Sequence, residues 1–379
     1  MCFKRLTVVV ALIFLVLFGG LTVSAEEETA PREYFDFLDA LPENIIDTLP
    51  NEALSDGNEQ ISAAAKEISS PTYLLKVTLD AFGANISEVL PVLALLCGII
   101  MISAVINAMS SSLGGGIGKT AEACSRLCSY CAIAALSVSS LSRLEEYFNA
   151  LFEAVAAFLP LSAALYAMGG NLTGAASSTA TIGVTLTVCE FICTKTVIPV
   201  FCICLSFSLL SAFDGQGATV GGALSASVKK WYTTFISFVM MILTVTLASQ
   251  SILSSKADTV AMRGAKFAVS SFVPLSGGAL SGTLGTLASS VELIRGSVGV
   301  IGIVIILLML IPVVVELALL RGALSIASFI SGIVGCAGER RLMDEIGSLY
   351  GYLEGIAALS GAVFIIAFAI FAATATPFS

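Results

Sequence analysis

Three groups of residues in this chain have types and spacing that chemistry uses. Cys124, Cys128 and Cys131 repeat the spacing of the thiolate triad that holds an iron–sulfur cluster in radical S-adenosylmethionine enzymes. Gly114-Gly115-Gly116-Ile117-Gly118-Lys119-Thr120 ends like a phosphate-binding loop. Glu190, Lys195 and Pro199, and a second set of Pro312, Glu316 and Arg321, place ionisable groups and helix-bending prolines inside otherwise apolar sequence, the composition of a membrane pathway or gate.

The first two fail in their context. A cluster-binding triad stands on a loop above alternating strands and helices, whereas these cysteines open an apolar helix. There they are expected to pack between helices as small soft side chains, like Cys97, Cys189, Cys193, Cys202 and Cys204. The phosphate loop would need glycine at position 113, which is Leu113, and would follow a strand; a flexible cytoplasmic turn is expected instead. The chain has no histidine, which removes histidine-based catalysis and most zinc sites. After Glu88 the aspartates are Asp214, Asp258 and Asp344, read as helix-end or loop residues, so no pair serves an intramembrane protease. No enzymatic activity, metal or cofactor is expected.

The third group stands. A charge deep in lipid costs about 2.5–3.5 kcal/mol on insertion scales, so such side chains face protein or water, or mark helix ends and reach the headgroups. The six residues are candidates for a pathway or gate on the first reading and interfacial anchors on the second.

The elements that must hold them are membrane helices. At 57% hydrophobic and 12% charged, 379 residues cannot cover a soluble globule. Uncharged stretches follow one another after Glu88, among them 30 residues between Glu88 and Lys119 and 36 between Glu153 and Glu190. At about 20 apolar residues per crossing, these predict an all-α polytopic membrane bundle of about seven spans, give or take two; continuously apolar runs do not suit barrel strands. The stretch from Lys266 to Glu292, with Pro274, Gly277, Gly278, Gly282 and Gly285, suits a broken or re-entrant helix. Gly296, Gly299 and Gly302 permit close helix contact. Two glycine-containing segments, from Gly169 to Gly174 and from Gly215 to Ser227, are expected as turns.

Charge divides the chain into parts. Residues 26–88 hold 14 acidic and three basic residues, a net −11, and the remainder holds 13 acidic and 15 basic, a net +2. Lys4 and Arg5 before an apolar run, with Val23-Ser24-Ala25 after it, predict a cleavable signal peptide over 1–25. An acidic extracytoplasmic segment then covers 26–88 and a multi-spanning domain 89–379. Tyr34, Phe37, Leu38, Leu41 and Ile45 predict a short amphipathic helix around Pro42, ending near Pro50, and a second helix covers 59–69. With the first span near 89–109 running inward, Lys119, Arg126, Lys229 and Lys230 are expected on the cytoplasmic side. Arg340 and Arg341 join them only if the Lys266–Glu292 stretch crosses.

The stretch Met262-Arg263-Gly264-Ala265-Lys266-Phe267, followed by Phe272-Val273-Pro274, resembles a pattern of the stage III sporulation protein AE family of endospore-forming bacteria, with Arg263, Lys266, Phe267 and Pro274 as the motif residues. The resemblance extends to Val197-Ile198-Pro199, to Ser297-Val298-Gly299-Val300-Ile301-Gly302 with Pro312 after it, and to the order of signal, polar head and spans. It covers essentially the whole chain. The family's hydrophilic head varies and is often longer, so the particulars of this acidic head, like the cysteine triad, are read as features of this chain.

That resemblance implies a mother-cell protein in the outer membrane around the engulfed forespore. Its implied partners are the other stage III proteins of the AA to AH set and a forespore protein, in a secretion-like channel needed for late forespore gene expression. A pore or export-platform subunit in an oligomer or hetero-complex, in contact with membrane lipid and not with nucleic acid, is expected. The alternative is a stand-alone secondary transporter of a small solute that uses buried glutamates and two similar halves.

Overall fold

The computed structural model describes residues 31–55, 57–110, 115–168, 172–213, 220–272 and 277–373, with side chains left undescribed chiefly at 209–220 and 250–293. The expected leader over 1–25 lies outside the described residues. Those described form an all-α polytopic bundle without strands. Four short elements come first: α1 (Arg32–Asp39), α2 (Glu43–Ile46), a 3-10 turn (Asn51–Leu54) and α3 (Asn58–Ile68). Long rods follow, α4 (Pro71–Ser110), α5 (Gly115–Met168), α6 (Leu172–Ile192), α7 (Ile198–Phe213), α8 (Val220–Phe272), α9 (Gly277–Val334) and α10 (Ala337–Ala373). A π turn, Cys193–Val197, joins α6 to α7 without ending the rod.

Proline and glycine punctuate the chain. Pro31, Pro42 and Pro50 each sit just before an element, and Pro71 opens α4 at a position where its missing N–H costs nothing. Pro42 also divides the expected single head helix in two, because it disfavours helical backbone at Leu41. The periodicity survives the break: Tyr34, Phe37, Leu38, Leu41 and Ile45 are all buried. At the far end Gly335 has φ +84°, and the Cys336 N–H donates to Ser331 O at 2.9 Å, the pattern that closes a helix through a left-handed glycine.

Among the described residues six helical rods are long and apolar enough to cross a membrane: Pro71–Met109, Ala123–Met168, Ala175–Ser208, Gly221–Leu247, Ile294–Val334 and Ala337–Ala372. Six lies within the expected range. The Lys266–Glu292 stretch is shared between the end of α8 and the start of α9, with positions 273–276 outside the described residues. The two expected glycine turns shorten likewise, since helix resumes at Leu172 and at Val220. Gly115 to Thr120 is helical as well, so the loop expected there does not extend past position 114.

Helix α9 is the most enclosed of the rods over part of its length. Ten consecutive positions, 301–310, are buried, so this stretch is covered on every face, while Ile326, Phe329 and Ile333 further along are exposed. It packs most extensively on α10 and also against α4, α5 and α3. Close approach depends on Gly299 and Gly302. A Cβ at Gly302 would overlap the Phe368 ring, and one at Gly299 would stand 2.6 Å from Ala372 Cβ. Gly296, the third of the series, has open space.

The head packs against the rods. The Phe37 and Phe158 rings meet edge to face at 5.9 Å, α3 lies on α9, and Tyr34 Oη donates to Ala53 O at 2.8 Å; burial pushes the Tyr34 phenol above its ordinary range. Its acids, among them Asp36, Asp39, Glu43 and Asp47, face outward. At the opposite end of the bundle Asn107 Nδ2 reaches Cys336 Sγ at 3.4 Å and the Arg126 side chain lies against Gly338. Arg340 and Arg341 belong to that end with Arg126.

Replacing Gly302 by Leu is expected to lower unfolding stability in detergent by about 2 kcal/mol, because overpacking forces α9 and α10 apart. Gly296→Ala should leave the thermal midpoint unchanged or slightly raised, and thermal scans of both purified variants check the pair.

Candidate functional site

The two expected charge and proline clusters take different places. Glu316 is buried on α9, and its Oε1 lies 3.4 Å from Arg143 Nη1 of α5; the same nitrogen is 2.6 Å from Glu88 Oε2 of α4. Five residues further along α9, Arg321 Nη1 pairs with Glu354 Oε2 of α10 at 3.2 Å, and Glu354 is buried too. Pro312 sits one turn before Glu316 and its carbonyl accepts from Asn85 Nδ2 of α4 at 3.4 Å. Four rods are therefore tied together by charge at one height. Glu88, Arg143, Glu316 and Glu354 each fall near the midpoint of their own candidate span.

The polar level continues around the bundle. Tyr350 Oη donates to Ser137 Oγ at 3.3 Å and is 3.5 Å from Ser140 Oγ, and Tyr147 Oη donates to Ala357 O at 3.3 Å. The Thr196 and Tyr232 hydroxyls share a hydrogen bond, and the Tyr232 and Tyr352 rings lie 6.0 Å apart. All six rods thus contribute a polar side chain to one layer. In an apolar surrounding each such group must find a partner, because leaving it unpaired costs about 1–3 kcal/mol.

The other cluster faces outward. The π turn inserts an extra residue into the rod, and Cys189, Cys193 and Val197 take the inner face. Glu190, Lys195 and Pro199 are left exposed, with no part in the interior network. The face taken by Lys195 and Pro199 depends on the π turn, which the sequence alone does not reveal, whereas Glu190 precedes it. The missed partners Glu88 and Arg143 had a signal, since both bound uncharged stretches. They read as span ends because the rods continue past the charge.

The cysteines also need correction. Cys124, Cys128 and Cys131 are exposed on α5 and do not pack between helices within the chain, and Cys202 is exposed as well; Cys189, Cys193 and Cys204 are buried as expected. Among the described residues no group of three or more His, Cys, Asp or Glu side chains gathers where a metal ion could sit. Arg263, Lys266 and Phe267 lie near the end of α8, where side chains are not described, and Pro274 lies outside the described residues. Near the head, Arg295 stacks its guanidinium over Tyr166 at 3.9 Å and Phe371 at 5.1 Å, a buried cation that the charge pattern alone did not mark as interior.

Over residues 55–375 the sequence matches the family described as Stage III sporulation protein AE. No curated protein matches, and no solved structure matches.

Glu316→Gln or Arg143→Gln should each destabilise the bundle by about 1–3 kcal/mol, less than the 3–5 of a fully buried pair because Arg143 remains partly exposed. The double variant should cost less than the sum of the two, which a double-mutant cycle in detergent would show. Glu190→Gln should stay within about 0.5 kcal/mol of the parent.

Proposed function

Because the chain belongs to the stage III sporulation protein AE family, we propose that this stage III sporulation protein is a multi-pass subunit of a secretion-like channel complex joining mother cell and forespore. In this reading it is a pore or export-platform component in the mother-cell-derived membrane. The observation that carries the reading is the polar layer running through every rod of a bundle otherwise made of apolar helices. Such a layer keeps charged side chains at membrane depth without an enzyme's apparatus, which suits a component that positions or passes cargo. Energy for movement would come from a separate ATPase of the assembly, since Leu113 stands where a phosphate-binding loop needs its first glycine.

The proposed topology follows the charges. The rod ends around Arg126, Arg340 and Arg341 face the cytoplasm, in keeping with the bias of basic residues to that side. The acidic head at the opposite end then projects into the space between the two membranes, after removal of a signal peptide over 1–25. Proposed partners are the remaining stage III proteins and a forespore protein. A stand-alone transporter draws less support, because of its two proton-carrying candidates only Glu316 lies inside the bundle.

Deleting the gene in a sporulating host should leave engulfment intact, then produce collapsed forespores and a silent late-forespore reporter; ordinary spores with an active reporter would overturn the proposal. Alkaline phosphatase fused after position 70 should be active and after position 335 inactive. The reverse pattern would sink the topology.

A further inference from the structure

An acidic cluster and one lysine, each near the middle of its span, lack a matching ion-pair partner among the described residues. Around Arg143 stand three carboxylates, Glu88 at 2.6 Å, Glu316 at 3.4 Å and Glu146 close enough to act on it electrostatically. One guanidinium offsets one of the three, so the cluster keeps a net negative charge. Glu88 is 59% exposed and Arg143 40%, which opens the cluster to the outside of the bundle between α4 and α5. On the α6–α7 rod, Lys195 is exposed, five residues after exposed Glu190, and makes no ion pair among the described residues.

Neither set suits lipid. Lys195 lies well inside the candidate span Ala175–Ser208, with Phe191 63% and Ile203 48% exposed on either side of it. Glu88 is flanked along α4 by exposed Ile86 and Leu90. A charge among lipid-facing apolar side chains must find an opposite charge or water. Lys195 has the sign that the acidic cluster lacks, and Lys195, Glu88, Arg143 and Glu316 each lie within about four residues of the midpoint of their own candidate span. Copies of one chain in one membrane share that mid-span height, so a head-to-tail contact brings them level with each other.

We infer that Lys195 of one copy docks against the Glu88–Arg143–Glu316 cluster of a second copy, making the α4–α5 face and the α6–α7 face two halves of a heterologous interface. The contact gives the acidic cluster its missing cation and removes both faces from lipid. It goes beyond the channel proposal and does not depend on it.

The test uses the full chain carrying two different tags, co-expressed, purified and placed in lipid nanodiscs, with recovery of one tag through the other as the readout. The unaltered chain should pair, and Lys195→Glu or Glu88→Lys should each cut recovery about tenfold. The combined K195E and E88K chain should return to within about threefold of the unaltered one. Within a chain Glu88 is bonded to Arg143 and not to Lys195, so rescue by the combination reports a contact between chains. Lys195→Gln, which leaves the interior network untouched, should cut recovery while the thermal midpoint stays constant, and this arm holds even where a charge reversal fails to fold. An unaltered chain that runs as a monomer in nanodiscs, single variants that pair as well as the parent, or a combination no better than the worse single variant would each overturn the inference.

Discussion

One charged layer sets the register of the bundle. Apolar helices in an apolar surrounding have little to choose between one axial position and the next, because lipid tails satisfy leucine as well as another helix does. Arg143 removes that freedom for three rods at once, since a shift of one turn along α4, α5 or α9 would separate it from Glu88 or Glu316 by about 5 Å. The Arg321–Glu354 pair does the same for α9 and α10. Buried ion pairs add little net stability against an apolar replacement, but breaking one leaves a charge stranded. Their contribution here is to penalise misalignment; the hydrogen bonds of Tyr147 and Tyr350 add further ties between α5 and α10, and that of Tyr232 joins α8 to the α6–α7 rod.

Packing then completes what charge begins. Gly299 and Gly302 let α10 approach α9 closely enough for Phe368 and Ala372 to fill the groove, and Phe158 stacks between Phe368 and Phe371 while also meeting Phe37 of the head. The head is therefore continuous with the core of the rods. Its apolar stripe is consumed in that contact, which leaves the acidic face as the surface it presents.

Much of this was legible in the sequence, and what was not has identifiable causes. The helical class followed from uncharged stretches long enough to span lipid, and the buried stripe of the head from the spacing of Tyr34, Phe37, Leu38, Leu41 and Ile45. Pro312, Glu316 and Arg321 stood out as charge and proline in apolar sequence, and the structure places the two ionisable ones in ion pairs. Glu190, Lys195 and Pro199 looked equivalent but face outward; a π turn after Glu190 sets which side of the rod Lys195 and Pro199 occupy, and periodicity cannot see it. Charge was read as the end of a span at Glu88 and Arg143, whereas a helix has no reason to stop where lipid does. Pairings such as Glu88 with Arg143, 55 residues apart, belong to tertiary structure.

The position of α9 bears on where a conduit could run. A conduit through a single chain would have to pass beside α9, which is buried at ten successive positions from 301 to 310. Close contacts of Gly299 and Gly302 leave no slack for α9 to move aside without separating from α10. Opening a channel through this part of a single chain would expose the side chains of Ile301 to Leu310 to water, at about 1.5–3 kcal/mol for each fully buried aliphatic group. A path between chains avoids that cost, since the exposed faces at the polar layer already carry charge. Under the proposed channel role, the enclosed stretch of α9 and the half-open charged layer favour a passage between subunits over one through a single chain.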